Sequence, residues 1–236
     1  TLLDEVYKLS SLTAVLDGPN ELVKEGANAN EILIPKLSMQ GLADYNKSTG
    51  YVAGDVTLDY ETKKCAYDRG RMFNVDAMDN IESAGIAFGR LSGEFLRTQV
   101  VPELDAYRLA SYAQIPGVTT AKAALATGKE ALAALRTARG KIENAEANLS
   151  TCYLFINPTV YGLIEDLDTT ASKKAIEGFA GIIKVPSGRF YNKVKLNASG
   201  AGGFTKDTGA VAMNFLIVDK QAAIQYQKHT VSKVIS

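Results

Sequence analysis

The sequence predicts an α+β fold, and three patterns along its 236 residues lead to that prediction. Apolar and polar residues alternate with a period of two between Glu31 and Val75, which is typical of strands. Spacings of three and four residues, typical of a helix, run from Asp79 to about Tyr112. Short strand-like and helical runs then alternate towards His229. The chain therefore combines an extended part, one long helix and a mixed part.

The composition is ordinary for a globular protein, with 46% hydrophobic and 22% charged residues. Lys plus Arg and Asp plus Glu number 26 each, so the formal net charge is zero. Proteins that bind nucleic acid mainly through its phosphates are usually basic, so this balance argues against that task as the main one. No apolar run reaches the roughly 18–20 residues that span a bilayer, and no signal peptide is recognisable. We therefore expect synthesis in the cytoplasm and no membrane association.

Residues 1–30 are predicted to form an N-terminal arm. A weak helical stripe of Leu and Val residues ends at Asp17-Gly18-Pro19-Asn20, and so apolar a segment is expected to pack on something. Residues 31–75 are predicted to form a β-ribbon, in which Pro35 indicates an edge strand. Its strands begin at Glu31, Val56 and Lys64, and we expect both of its faces to be mixed. Such a ribbon has no core of its own and needs a partner.

The long helix is the strongest secondary-structure prediction in the chain. Asp79 can act as its N-cap, with Glu82 three residues later. Pro102 is expected to kink the helix near Thr98, because proline disrupts the preceding turn. The helix should end before Pro116. At roughly 30 residues it would be on the order of 45–50 Å long, which is unusual in a single globular domain.

The mixed part, residues 114–236, is predicted to hold short strands and helices. An Ala-rich helical stretch should be divided into two helices by Gly128, and a buried strand should end at Asn157-Pro158, where a short helix begins. A second strand should lie between glycine turns, a flexible glycine-rich loop should follow, and a last strand should precede His229. In order, these stretches are 119–148, 152–156, 176–189, 197–209 and 211–224.

The candidate reactive residues do not form a known catalytic or metal-binding pattern. His229 is the only histidine, which excludes sites that need several histidines. Cys65 and Cys152 match no metal or redox spacing and are expected to be free, buried thiols. An acidic turn and a glycine-rich loop lack the spacings of calcium and phosphate sites; they contain Glu165, Asp166 and Asp168, and Gly200, Gly202 and Gly203. We therefore predict no enzyme activity, no cofactor and no metal.

Four stretches occur in a characteristic order: YDRGRMFNVDAMDN (67–80), FLRTQVVPELDAYRLASYA (95–113), LFINPTVYGLIED (154–166) and NFLIVDKQAAIQYQKH (214–229). Together they resemble the major capsid proteins of tailed bacteriophages, which have the Hong Kong 97-like fold. The first two look like the ribbon return and the spine helix of that family. The third is similar to the strand-Asn-Pro-helix of its axial domain, and the fourth to the strand that returns to its peripheral domain. The resemblance covers nearly the whole chain.

The resemblance implies five segments: an N-terminal arm (1–30), an extended β-ribbon loop (31–75), a peripheral domain with the spine helix (76–113), an axial α/β domain (114–214) and a return to the peripheral domain (215–236). Such proteins commonly continue with further peripheral strands, so either more strands follow Ser236 or the sheet is shorter than usual. The implied function is self-assembly into hexamers and pentamers of an icosahedral virion shell around double-stranded DNA. Portal, scaffold and decoration proteins would be further partners, and arm and ribbon would cross onto neighbouring subunits.

A charged stretch at the end of the predicted ribbon is the candidate subunit interface. On a strand, Arg69, Arg71 and Phe73 would share one face, with Asp68 and Asp76 on the other. Arg and aromatic residues are enriched in interfaces, and a guanidinium binds a carboxylate in a fork. The alternative is an ordinary half-exposed strand whose charges form local ion pairs.

Two other functions stay open at this point. An encapsulin-type cellular shell has a related fold but encloses a protein cargo, so its contents distinguish it from a capsid. A soluble α/β enzyme would be a compact monomer or small oligomer with a pocket of perturbed titrating groups. The long ribbon without a core counts against the enzyme.

Overall fold

The structure, a computed structural model, describes residues 11–18, 24–25, 31–48, 50–73, 93–198, 200, 202–223 and 225–226. The chain divides into two compact units. The first, here called the α/β unit, comprises Thr1–Gly18 and Val75–Ser236; the second, the ribbon unit, comprises Pro19–Asn74. The ribbon unit is thus inserted into the sequence of the α/β unit. The predicted arm is shared between the two units, and the predicted division into five segments stays a prediction.

The ribbon unit contains one antiparallel sheet of strands β1 (Lys24–Glu25), β2 (Glu31–Met39) and β3 (Val56–Lys64), in that spatial order. The two long predicted strands are confirmed. Of the described residues, β1 pairs only with Ile32 and Leu33 of β2, so Pro35 lies where β2 has one neighbour. That position suits proline, which lacks the N–H that a second neighbour would require.

The third predicted strand, from Lys64 to Val75, is wrong for its described part. β3 ends at Lys64, and residues 65–73 form no strand. Lys64 pairs with Glu31, the first residue of β2. Among the described residues, none pairs with 65–73 in a ladder, so the alternation of residue types there is not accompanied by strand hydrogen bonds.

The α/β unit has a three-stranded sheet. In spatial order its strands are β5 (Gly181–Lys184), β4 (Cys152–Ile156) and β8 (Phe215–Asp219), and β5 is parallel to β4 while β8 is antiparallel to it. Its helices are α1 (Val101–Ala113), α2 (Gly128–Asn144), α3 (Pro158–Glu165) and α4 (Thr170–Ile176). Its strands are β4 (Cys152–Ile156), β5 (Gly181–Lys184), β6 (Val194–Leu196), β7 (Phe204–Lys206) and β8 (Phe215–Asp219). The described residues thus mix helix and sheet, which is compatible with the α+β class.

Strand β4 is buried on both faces and forms the centre of this unit. Leu154 and Ile156 pack in one apolar cluster with residues of α2, α3 and α4. Phe155 points to the other face and packs with Leu16 and with Leu109 of α1. Successive strand residues point to opposite faces, so five residues serve two cores. The continuous apolar run in the sequence is the expected pattern for such a strand.

The helix before Pro116 is confirmed from residue 93 onwards, and its predicted N-cap, Asp79, lies outside the described residues. Leu96–Val100 forms a π-helical turn directly before α1. Pro102 has no N–H and its ring crowds the carbonyl of Thr98, so a wider turn at this point is physically reasonable. Among the described residues, no helix combines the length and apolarity that crossing a membrane requires.

The prediction that Gly128 divides two helices is wrong, because residues 118–126 are irregular and one helix, α2, begins at Gly128. Thr127 caps this helix: its hydroxyl accepts the Glu130 N–H at 3.3 Å, and the Glu130 carboxylate accepts the Thr127 N–H at 3.0 Å. These reciprocal hydrogen bonds form a capping box. They also lower the pKa of Glu130, which accepts backbone N–H groups of Ala126 and Thr127.

The prediction of a flexible loop over residues 197–209 is also wrong in part. β6 and β7 form an antiparallel hairpin in which Lys195 pairs with Thr205. The Asn197 side chain donates to the Gly202 carbonyl at 2.9 Å and accepts from the Thr205 hydroxyl at 3.0 Å, which braces the loop between the strands. The predicted strands near residues 152–156, 176–189 and 211–224 are confirmed as β4, β5 and β8. β8 pairs with β4 along its whole length.

Candidate interaction surface

The register of the ribbon places six apolar residues of β2 and β3 on one face, towards the tip. Pro35 pairs with Tyr60, Leu37 with Leu58, and Met39 with Val56. Residues directly opposite each other in an antiparallel sheet project to the same side, as do residues two positions apart. These six residues therefore form one surface, called here the apolar ribbon face. The expectation that both faces are mixed holds for the ribbon as a whole, because Glu31 and Lys64 pair on this same side, and Ile32 and Ile34 lie on the opposite side.

This apolar face is open to solvent. Leu37 is 58% exposed, Met39 65%, Val56 64% and Leu58 56%. Fully burying an aliphatic or Met side chain is worth about 1.5–3 kcal/mol, so covering what remains exposed of these four would contribute on the order of 4 kcal/mol. Contiguous apolar patches that remain open on a folded chain commonly mark sites of association.

The opposite face of the ribbon carries charged residues together with Ile32 and Ile34. Lys36 pairs with Asp59, and Ile34 with Glu61. The Lys63 ammonium lies 2.6 Å from a Glu61 carboxylate oxygen, and the hydrogen bond from Lys63 lowers the pKa of Glu61. Both side chains of this ion pair are about half exposed, so this face of the ribbon can remain in contact with water. The part of the ribbon from Pro35 and Tyr60 towards the tip is thus amphipathic across its two faces.

The exposed apolar surface extends to the ribbon tip, residues 40–55. Leu42 is completely exposed, and so is most of Tyr51. Tyr45 and Tyr51 contact each other with ring centroids 5.0 Å apart. Asn46 and Gly50 exchange backbone hydrogen bonds of 3.3 and 2.7 Å, which close a turn at the tip. The described residues of the tip therefore carry apolar groups in solvent, and backbone hydrogen bonds between Asn46 and Gly50 hold part of it.

The residues predicted as a subunit interface follow β3. Asp68, Arg69, Arg71 and Phe73 are exposed, but they lie in the irregular segment 65–73 and not on a strand. The argument that alternation places them on defined faces is therefore wrong. Arg69, Arg71 and Phe73 each already take part in an interaction within the chain. Asp76 lies outside the described residues, and the predicted role of all five stays a prediction.

A buried polar cluster fixes residues 11–13 to α1. Asp105 is fully buried. Its carboxylate accepts hydrogen bonds from the Ser11 hydroxyl at 2.6 Å, the Thr13 hydroxyl at 2.7 Å, and the N–H groups of Leu12 and Thr13 at 3.0 and 3.2 Å. Arg189 lies 3.7 Å from the same carboxylate and supplies a positive charge. Four donors and one cation make this burial of a charge tolerable.

Gln225 extends the cluster to the far end of the sequence. Its side-chain amide donates to the Thr13 carbonyl at 3.1 Å and to Asp17, and its oxygen accepts the Tyr112 hydroxyl at 2.6 Å. Residues 11–18 of the predicted arm therefore contact their own chain. The expectation that such a segment packs on something is confirmed, but for these residues the contact is not with a neighbour. No pattern of residues near Asp105 indicates that a charged residue in a helix would be central to this packing.

A catalytic centre is not apparent in the part of the chain that the structure describes. A pocket of about 210 Å³ is lined by Ser150, Thr151, Tyr153, Ala180, Lys220 and Gln221, which include no carboxylate or histidine. The described residues contain no group of three or more His, Cys, Asp or Glu that could hold a metal ion.

The other candidate reactive residues are two cysteines, the acidic turn and His229. Cys65 and Cys152 are both free, but only Cys152 is buried. Burial raises the pKa of the Cys152 thiol, with a smaller effect from Asp219, and so disfavours the reactive thiolate. In the acidic turn, Asp168 pairs with Lys173 at 2.8 Å. His229 lies outside the described residues.

Comparison with known proteins adds no relative. No protein-family model matches the chain, and the searches of curated proteins and of solved structures found no significant match.

Proposed function

We propose that the chain is a self-assembling structural protein, the major capsid subunit of a tailed bacteriophage. It would form hexamers and pentamers of an icosahedral shell that encloses double-stranded DNA. The observation that supports assembly is the apolar ribbon face, which is open on a folded chain. The order of the four sequence stretches supports the capsid identity. The predicted fold, virion location and absence of enzyme activity belong to the same proposal.

A neighbouring copy of the chain is a suitable partner for the apolar ribbon face. A closed shell repeats the same contacts in every subunit, so an interaction worth only a few kcal/mol becomes collectively stable. The zero net charge leaves little long-range repulsion between copies. The apolar ribbon face and the tip, rather than residues 11–18, are assigned to this contact. Scaffold, portal and decoration proteins would join the assembly as further partners.

A pair of double variants tests the proposal with a matched control. In Leu37→Lys/Leu58→Lys, two opposed residues of the apolar ribbon face become charged. In Ser38→Lys/Thr57→Lys, the adjacent opposed pair on the charged face receives the same two charges. Each protein is purified by size-exclusion chromatography and imaged by electron microscopy. We expect hollow particles or capsomer rings from the wild type and the control, and neither from the apolar-face variant.

Three outcomes would contradict this proposal. If the wild type stays a monomer at high concentration, even with the products of neighbouring genes, the chain is not a shell subunit. If both double variants assemble normally, the apolar ribbon face is not the contact. If particles form but contain a protein cargo and no DNA, the shell is of the encapsulin type and not a capsid.

A further inference from the structure

Strand β3 has one edge paired with β2 and one open edge. Its 9 residues, Val56–Lys64, all pair with β2 and are all exposed. In the spatial order of the sheet β3 comes last, and no backbone hydrogen bond joins its outer edge to any described residue. An open edge of this length presents N–H and C=O groups to which another strand can add.

Two observations show which backbone groups of β3 face outwards. The Gln40 N–H donates to the Asp55 carbonyl at 3.3 Å, directly beyond the last pair of the ladder, so the backbone of Asp55 faces β2. Pro35, which has no N–H, pairs with Tyr60, as expected where the backbone groups of a pair face away from each other. Because this direction alternates along an antiparallel strand, the outward groups belong to the even-numbered residues of β3. These are Val56, Leu58, Tyr60, Thr62 and Lys64.

The charges of β3 suit pairing with a second copy of the same strand in one register. In an antiparallel pair of two copies, Thr62 can lie opposite the partner's Thr62 on the two-fold axis. Glu61 then lies opposite the partner's Lys63, and Lys63 opposite the partner's Glu61, and such opposite-charge pairs stabilise a sheet. Tyr60 lies opposite the partner's Lys64, whose ammonium can contact the ring. Both side chains of the Glu61–Lys63 ion pair are about half exposed in the single chain, so a partner can reach them.

The same charges disfavour most other registers. With Asp59 or Glu61 on the two-fold axis, a carboxylate meets its own copy. With Tyr60 on the axis, Asp59 lies opposite the partner's Glu61. Like charges directly opposite each other destabilise a sheet. A register centred on Leu58 sets neither like nor opposite charges face to face, so it is the competing arrangement.

We infer that the outer edge of β3 pairs antiparallel with the outer edge of β3 in a second copy, so that two ribbons form one continuous sheet. Backbone hydrogen bonds of Tyr60, Thr62 and Lys64 form the contact, and Glu61 with Lys63 selects the register. Because the two-fold axis is normal to the sheet, the apolar ribbon faces of both copies lie on one side and stay available to other subunits. The inference goes beyond the proposed function, since it uses the edge of the ribbon and needs only two copies.

Engineered cysteines test the register. Directly opposite residues of a hydrogen-bonded antiparallel pair have Cα atoms about 5.5 Å apart, within reach of a disulfide. Thr62→Cys in a Cys65→Ser background should therefore form a disulfide-linked dimer under mild oxidation, measured by non-reducing electrophoresis. The matched control is Leu58→Cys in the same background, at another exposed residue of β3. In the inferred register the two copies of position 58 lie about 27 Å apart along the strands and should not cross-link.

Charge reversal tests the partner. Glu61→Lys and Lys63→Glu each set like charges opposite each other, so each variant should form the dimer about 10-fold or more weakly than the wild type. An equimolar mixture of the two variants restores opposite charges across the edge and should restore the dimer. The ion pair within each chain is lost in both variants, so it cannot explain the recovery. Sedimentation velocity of the unassembled protein measures the dimer in all four samples.

Three results would overturn the inference. Cross-linking of Leu58→Cys but not of Thr62→Cys would place the axis at Leu58. Equal dimerisation of the wild type and both charge variants, or no recovery in their mixture, would mean that these charges do not face a second copy. A wild type that stays a monomer at high concentration would remove the edge contact.

The edge contact and the shell fail separately, because particle formation is observed by electron microscopy. Cross-linked Thr62→Cys dimers from a chain that forms no particles support the edge contact and contradict the shell. Particles that form without any Thr62→Cys cross-link support the shell and contradict the edge contact.

Discussion

The two units use strands of similar composition in opposite ways. In the α/β unit, Leu154, Phe155 and Ile156 of β4 are fully buried, because helices or the segment 11–18 cover both faces of the sheet. In the ribbon unit, Leu37 and Leu58 lie directly opposite each other and stay more than half exposed. Apolar residues in a strand therefore predict that the strand tends to be buried. They do not predict whether the same chain or another molecule buries it. One unit is covered by its own chain, and the other has an apolar surface available for a partner.

Truncating Phe155 of β4 should destabilise the protein far more than truncating Leu58 of β3. Phe155→Ala should destabilise the subunit by about 3–5 kcal/mol, because it leaves a cavity in a packed core. Leu58→Ala should change stability by no more than about 0.5 kcal/mol, because the side chain is mostly in solvent. Urea unfolding of the unassembled subunit measures both. A comparable loss for Leu58→Ala would show that the ribbon depends on this residue within the single chain.

The second prediction concerns the hydrogen bonds by which Asp105 holds the segment 11–18 against α1. Asp105→Ala should destabilise the α/β unit by about 2–4 kcal/mol, because it leaves buried hydroxyl and N–H donors without an acceptor. Asp166→Ala, at an exposed position after α3, should have almost no effect. Thermal unfolding of both variants is the measurement. If Asp105→Ala were neutral, water or a rearranged side chain would have to satisfy the donors of residues 11–13.

Two glycines of α2 provide the third prediction, with effects of opposite sign. A Cβ at Gly128 would lie 2.2 Å from the Leu163 carbonyl oxygen of α3, whereas nothing lies within 4 Å of one at Gly140. Gly128→Ala should therefore cost about 1–3 kcal/mol by overpacking. Gly140→Ala should stabilise by roughly 0.5–1 kcal/mol, since alanine loses less backbone freedom in a helix. A denaturant midpoint that does not fall in Gly128→Ala would contradict the close packing of α2 on α3, and one that falls in Gly140→Ala would contradict the open space at that position.

The contribution of Glu130 to stability, through the capping box of α2, should be small and should depend on pH. The pKa of Glu130 is lowered in the folded state, so its charged form stabilises the fold above the unfolded pKa. This contribution should be lost as the pH falls through the lowered pKa. The melting temperature of wild type should therefore exceed that of Glu130→Gln at neutral pH, and the difference should shrink in acid. A difference that is constant down to acid pH would mean that the charge of Glu130 is unimportant.

Local patterns predicted most of the elements of both units. Alternation located β2 and β3, the continuous apolar run located β4, and Asn157-Pro158 marked the start of α3. Each of these depends on residues close in sequence. The start of α2 was also visible, since Thr127 and Glu130 have the spacing of a capping box. It was missed because Gly128 was interpreted as a helix breaker, although glycine is tolerated in the first turn.

The surfaces could not be predicted in the same way, because they depend on pairing. The register that pairs Leu37 with Leu58 places apolar residues of β2 and β3 on the same face. A shift of one residue would move the apolar side chains of one strand to the opposite face. The burial of Asp105 depends on Thr13, which is 92 residues away.

The contacts of Gln225 also set the order in which the chain can be completed at the ribosome. The ribbon unit ends at Asn74. The hydrogen bond from the Gln225 side-chain amide to the Thr13 carbonyl can form only after Gln225 has been synthesised. About 150 residues separate Asn74 from Gln225, and at 5–20 residues per second they take roughly 8–30 s to synthesise. During that time the nascent chain has an apolar ribbon that can already pair while its other unit is incomplete. Polysomes that carry many such chains would hold these exposed apolar ribbons close together, which raises the risk of aggregation during translation.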